Sequence, residues 1–258
     1  MPIPNRYNEV LHSARERFAV EAAWTSFTEK PLEHRVLPDG RCDIILRFQS
    51  DGSKPIGPIF PAIVGAATRF HIVKIEPGIG YVGVRLRPGT ARQVLGVDLT
   101  EITDQGIRGG AAIAIIPALS ALCAPAQSND ELAMRLDSFV VGRSSEAQID
   151  PLTSAIINML HTAGGRLPIT EIASLHGVDV RQVHRRIVSG TGLTPKQMAM
   201  VIQFHRALRL IIDGRLDIAS AAFEAGYADQ AHMTRVFKRM GGFSPAKIPE
   251  LVLAGLPI

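Results

Sequence analysis

Two clusters in the last third of the chain carry side chains able to read a patterned polar surface. Arg181, His184 and Arg185 recur at the three- and four-residue spacing of one helix face, and Gln230, His232, Thr234 and Arg235 crowd a second short segment. Such groups near a helix N-terminus can meet the donor and acceptor code that duplex DNA displays in its major groove. Lys196, Lys238 and Arg239 lie close by as cations suited to phosphate oxygens. The plainer alternative is a pair of amphipathic hairpins whose basic faces meet only water.

The elements that would carry these residues are written twice. Ile169 to Gly177 recurs as Ile218 to Gly226 at an offset of 49, and Thr194-Pro195 recurs as Ser244-Pro245 at an offset of 50. Each unit reads as a short helix with a small residue, Ala173 or Ala222, at its fifth position, then a turning glycine, then a second helix. Asp179 and Asp229 are placed to cap the second helices. Val183 and Ile187 in one, and Met233, Val236, Phe237 and Met240 in the other, follow the period of a buried stripe, which leaves the polar clusters outside. Between the units, Pro195 to Asp213 reads as one helix stopped by Gly214. At a rise of 1.5 Å per residue it spans about 28 Å, against about 34 Å between successive turns of the major groove. One rod could therefore hold two reading helices on one side of a duplex.

Charge agrees with that placement. The 258 residues carry a net +4, but residues 1–150 hold 16 Lys and Arg against 17 Asp and Glu, while residues 151–258 hold 12 against 7 and five of the eight histidines. A basic third favours a polyanionic partner. Imidazoles near phosphate would tighten such binding toward pH 6. Two cysteines, Cys42 and Cys123, cannot build a disulfide framework or a four-thiolate zinc site and are expected to stay reduced. No secretory signal and no membrane-length apolar run is read in the sequence, so the expected location is cytoplasmic, with no membrane partner.

The first half reads as β-rich. Segments near 17–28, 33–48, 60–75 and 80–87 are punctuated by Pro38-Asp39-Gly40, Asp51-Gly52, Pro77-Gly78 and Pro88-Gly89, a spacing that suits antiparallel pairing. Residues 111–124, 129–141 and 150–163 read as helices, with Asn129 and Asp130 as a capping pair and Asp150-Pro151 opening the third. Gly78-Ile-Gly80-Tyr-Val-Gly83 spells a dinucleotide-type fingerprint, but a strand follows it where a helix is needed, so it reads as a β-turn. Asp39 and Asp43 read as a loop and a strand edge, Trp24 and Phe48 as core residues with the lining of a ligand pocket as the alternative, and Arg85 and Arg87 as a solvated strand face. His34 and His71 are far apart in sequence and read as satisfied or exposed side chains. No metal site, cofactor or catalytic set is expected.

Residues 152 to 248 resemble the tandem helix-turn-helix domain of AraC-type transcription regulators, most specifically through Gly226-Tyr227-Ala-Asp229-Gln230 and the run on to Ser244-Pro245. The resemblance implies sequence-specific binding of double-stranded DNA and activation of transcription with RNA polymerase. By position it assigns base contact to Arg181, His184, Arg185, Gln230, His232, Thr234 and Arg235. The first reading helix departs from the family at Arg186, where an apolar residue is usual, and at Val188, where a basic one is usual. Arg186 is left as a snorkelling side chain or an extra phosphate contact. The arginine that usually follows the last Ser/Thr-Pro is missing. More loosely, Trp24, the Leu37-Pro38-Asp39-Gly40 run, Gly65 and the Val82 to Gly89 run resemble the companion domain of one AraC-type subgroup.

The expected fold is α+β: a β-rich amino-terminal domain, then an all-α carboxy-terminal domain whose two helix-turn-helix units are joined by a long helix. Expected boundaries are 1–110 for a sensory or dimerisation domain, 111–150 for a helical linker region and 151–258 for the DNA-binding domain. A small-molecule effector and a homodimer are further partners that fit this reading. Two other classes compete, a β-barrel enzyme carrying a DNA-binding module and a sequence-blind architectural binder.

Overall fold

A computed structural model of the chain describes residues 5–11, 18–50, 56–145 and 150–249. Among the described residues, eight strands, β1 (Asn5–Leu11), β2 (Val20–Thr28), β3 (Leu32–Val36), β4 (Cys42–Gln49), β5 (Ile59–Val64), β6 (His71–Ile75), β7 (Ile79–Leu86) and β8 (Gly106–Arg108), lie in the first half. They form a six-stranded sheet in the order β1-β2-β7-β4-β5-β8 and a separate β3-β6 ribbon, with antiparallel pairing throughout. Strand β4 shows why the sheet is one-sided. Cys42, Ile44, Leu46 and Phe48 alternate into the core, while Asp43, Ile45 and Arg47 face the other way.

The helices are α1 (Ala91–Leu95), α2 (Leu99–Ile102), α3 (Gly110–Ile115), α4 (Asn129–Ser145), α5 (Pro151–Thr162), α6 (Ile169–His176), α7 (Val180–Thr191), α8 (Pro195–Ile212), α9 (Ile218–Glu224) and α10 (Gln230–Met240). Leu132, Leu136 and Val140 of α4 and Val94 and Leu95 of α1 cover the apolar face of the large sheet. A second core gathers α5 to α10 around Met198, Val201, Phe204 and Leu208 of α8. It also takes in Ala66 and Leu37 from the β-rich half, so the two halves share packing.

The α+β expectation holds, with local corrections. The single segment expected over 60–75 is two strands, β5 and β6, which belong to different sheets. Residues 111–124 do not form one helix, because Pro117 ends α3 and starts a 3-10 segment, Pro117–Cys123. The cap of α4 is Ser128 rather than Asn129 or Asp130: its Oγ accepts from Glu131 N at 3.1 Å, and Glu131 reaches back to Gln127 N at 2.6 Å. Strands β1 and β8 and helices α1 and α2 fall outside the segments that the sequence pattern predicts. The Asp51-Gly52 turn and residues 250–258 of the expected third domain lie outside the described residues.

Candidate nucleic-acid interface

Each unit begins with a short helix crossing a longer one. Ala173 and Ala222 are buried at the crossings, and Gly177 and Gly226 turn the chain at φ +63° and +87°, a region in which a side chain would be strained. Asp179 Oδ1 accepts from Gln182 N at 2.7 Å, and Asp229 Oδ1 accepts from His232 N at 2.6 Å. Both caps satisfy orphan donors at the helix ends that would point at DNA. Val183 and Ile187 of α7, and Met233, Val236, Phe237 and Met240 of α10, are buried as their spacing requires.

What remains outside is the polar set. Arg181, His184 and Arg185 are exposed on α7, and Gln230 and Arg235 are exposed on α10. His232 and Thr234 are only half exposed. The His232 ring stands edge-on to Tyr227 at 5.4 Å between centroids, and Thr234 Oγ1 donates to Gln230 O at 2.8 Å. The Thr234 oxygen keeps lone pairs for a further bond, while its hydrogen is committed to the helix. Lys196 projects from the first turn of α8, and Lys238 and Arg239 from the last turn of α10. Arg239 also lies against Met200, with Nη2 at 3.3 Å from its sulfur.

Helix α8 carries both units on one frame. Its start is fixed by a capping box in which Thr194 and Gln197 satisfy each other's backbone N–H groups. Its 18 residues give about 27 Å of rod, close to the sequence expectation. Phe204 meets Phe237 edge-to-face at 4.9 Å and Phe243 at 6.5 Å, which locks α10 to the rod. On the other side α8 shares its core with Val183 and Ile187 of α7. Arg206 pairs with Glu224, joining α9 to the same rod.

The question left at Arg186 is answered by geometry. Its guanidinium pairs with Asp150, which itself caps α5 by accepting from Leu152 N at 3.0 Å and Thr153 Oγ1 at 2.8 Å. Arg186 thus ties the start of α5 to the inner side of α7. A basic residue tolerates a half-buried position when a carboxylate waits there.

Other sequence readings resolve in the first half. Trp24 is half exposed, and its Nε1 donates to Asp43 Oδ1 at 3.0 Å. Phe48 is core. Arg85 and Arg87 are not a solvated pair: Arg85 reaches Glu9 at 2.9 Å and Asp39 at 3.4 Å, and Arg87 Nη2 donates to Val20 O at 2.9 Å. Burial pushes the Asp43 carboxyl up to about 6, against the opposing pull of Arg85. His34 and His71 fall on neighbouring strands of the β3-β6 ribbon, where both are exposed.

The Leu37 to Gly40 turn docks on the basic half. His205, on α8, meets Pro38 O at 2.7 Å through Nε2, and burial lowers its imidazole despite that bond. His161, on α5, is lowered from the ordinary 6.5 to about 4 by burial and then by the Arg41 charge. Of the five histidines in the basic half, these two are packed against the β-rich half rather than aimed at a polyanion. Only His184 and His232 lie on the reading helices. No local pattern announces this, because the docking partner of His205 lies 167 residues away in the chain.

Comparison with known proteins agrees with this geometry. Residues 165–249 match a family model described as a helix-turn-helix domain, and residues 17–108 match a domain of unknown function, DUF6597. The chain is 31% identical over 79 residues to the HTH-type transcriptional activator RhaS of Escherichia fergusonii, covering 31% of this chain and 28% of that protein. It is 28% identical over 80 residues to RhaS of Klebsiella pneumoniae, covering 31% and 29%. The chain therefore spans less than a third of the length of these curated relatives. Among solved structures, ToxT from Vibrio cholerae O395 aligns over 98% of this chain and 100% of its own at 12% identity and a TM-score of 0.45. The carboxy-terminal domain of AraT from Geobacillus stearothermophilus aligns over 39% of this chain and 84% of its own at 20% identity and a TM-score of 0.36. Residues 165–249 thus match a helix-turn-helix domain and are similar to part of the transcriptional activator RhaS, and residues 17–108 ahead of them match a separate domain of unknown function.

Proposed function

We propose that the chain binds double-stranded DNA sequence-specifically and regulates transcription. The observation that carries this reading is the pair of capped helices, α7 and α10, that expose Arg181, His184 and Arg185 and Gln230 and Arg235 while both pack on the same rod. Base edges are read by these five and by the half-exposed His232 and Thr234. Lys196, Lys238 and Arg239 hold phosphates, which gives affinity without sequence preference. The proposed organisation keeps residues 1–110 as a sensory or dimerisation domain, 111–150 as a helical linker region and 151–258 as the reader. The resemblance to AraC-type activators extends the proposal to activation with RNA polymerase, a small-molecule effector and a homodimer. The similarity to transcriptional activators favours this reading over that of an enzyme carrying a DNA-binding module.

Selection of bound fragments from a random DNA pool by the purified chain tests the core of this reading. Enrichment of two short motifs separated by about one helical turn is expected. A pool that stays random after several rounds, with binding competed equally by any duplex, would instead mark a sequence-blind binder.

A further inference from the structure

Resting on the DNA-binding reading, a second feature lies where α7 meets the β-rich half. Arg181, Arg185 and Ser189 are spaced by four residues and so form one ridge along α7, with about 6 Å between neighbours. The ridge does not end at Ser189. Arg92, an exposed residue of α1, donates from Nη1 to Ser189 Oγ at 2.9 Å. Arg92, Thr100 and Asp98 of the β-rich half line a groove of about 320 Å³ with His184, Arg185, Val188 and Ser189 of α7.

The join between α1 and α7 is rigid. Gly89 N donates to Gly190 O at 3.0 Å, and Thr103 Oγ1 donates to Gly192 O at 3.0 Å. A Cβ on Gly190 would lie 2.8 Å from Thr153 and 3.2 Å from the Gly89 Cα, so the two backbones nearly touch. These contacts hold the 92–100 segment beside the end of the helix ridge that Arg181 and Arg185 begin. Asp98 in the same groove accepts from Thr100 N and Oγ1 at 3.0 and 2.8 Å, and these bonds, with a smaller pull from the Arg92 charge, hold its carboxyl below the ordinary range.

We infer that Arg92 of the amino-terminal half is a DNA backbone contact that continues the α7 ridge, so that the companion domain forms part of the DNA interface. Val188 and Ser189 supply no charge at the far end of α7, and Arg92 brings one there from another element. A guanidinium at that end meets phosphate rather than base edges, since reading is done by the helix start.

The test is a salt titration of full-length chain on its selected duplex and on random duplex. Arg92→Ala should weaken both about threefold to tenfold and reduce the salt slope by about one, and Arg92→Glu should weaken both further. Arg92→Lys should restore the slope. Wild-type affinity and slope in Arg92→Ala and Arg92→Glu, with the wild-type chain binding normally, overturn this inference alone. A loss confined to one sequence makes Arg92 a base reader and also overturns it. A wild-type chain that binds no duplex overturns the DNA-binding reading itself.

Discussion

At the scale of single residues, exposure sorts the polar side chains into two kinds. Arg185 and Arg235 project from the exposed sides of their helices about midway along, and Lys238 from the last turn of α10. Replacing either arginine by Ala should cost about 1–3 kcal/mol on the selected site and relax preference at one base position. Lys238→Ala should weaken all duplexes alike and flatten the salt dependence. Gel-shift titrations on specific and random DNA separate the two, and equal losses for all three variants would refute the division. A different residue-scale effect belongs to His161. Its imidazole is neutral in the fold, with a pKa near 4 against the ordinary 6.5, so the unfolded chain takes up the proton first on acidification. Its contribution to stability is complete above about pH 6.5 and drains away as the pH falls toward 4. Asp43, raised by burial, works in the opposite direction over part of that range. The comparison must therefore be differential: wild-type Tm should fall more steeply between pH 6.5 and 4.5 than that of His161→Gln. Parallel Tm curves would count against a buried neutral imidazole.

Among elements, the informative case is the tie between α5 and α7. Both partners are partly exposed, 26% for Arg186 and 38% for Asp150, so solvent screens the pair and its coupling should be modest, about 0.5–1 kcal/mol. A double-mutant cycle with Arg186→Met and Asp150→Asn measures it by urea unfolding, and Asn preserves the cap. Arg186→Met should lose stability while leaving the salt slope of DNA binding untouched, because that guanidinium is already engaged. A slope reduced by about one would restore Arg186 as a phosphate contact. Element identity was legible where periodicity was strong. Met233, Val236, Phe237 and Met240 announced α10 and its buried face, and the alternation of Cys42 to Phe48 announced β4. Short helices such as α1 and α2, five and four residues long, have too few turns to display a period.

For the whole molecule, the decisive feature is that the cores touch. Leu37 and Ala66 pack into the second core, Gly40 lies beneath Met198, and Arg35 Nη1 donates to Gly241 O at 2.8 Å. Such shared packing should make the halves unfold together. The chain has a single tryptophan, Trp24, which reports the sheet, while the far-ultraviolet signal is dominated by α5 to α10. Thermal transitions followed by Trp24 fluorescence and by circular dichroism should share one midpoint. Two separated midpoints would show that the contacts between halves are too weak to couple them.

The repeated helix-turn-helix units, their caps, their buried stripes and the identity of the side chains left outside were all legible in the order of residues. Those properties follow from residues a few positions apart, where helix geometry leaves few choices. Which polar side chains are already engaged emerges from the packing of distant elements. Arg186 found Asp150, His205 found Pro38, and Ser189 found Arg92, across separations of 36, 167 and 97 residues. Contacts of that range depend on how whole elements pack, which no local spacing encodes.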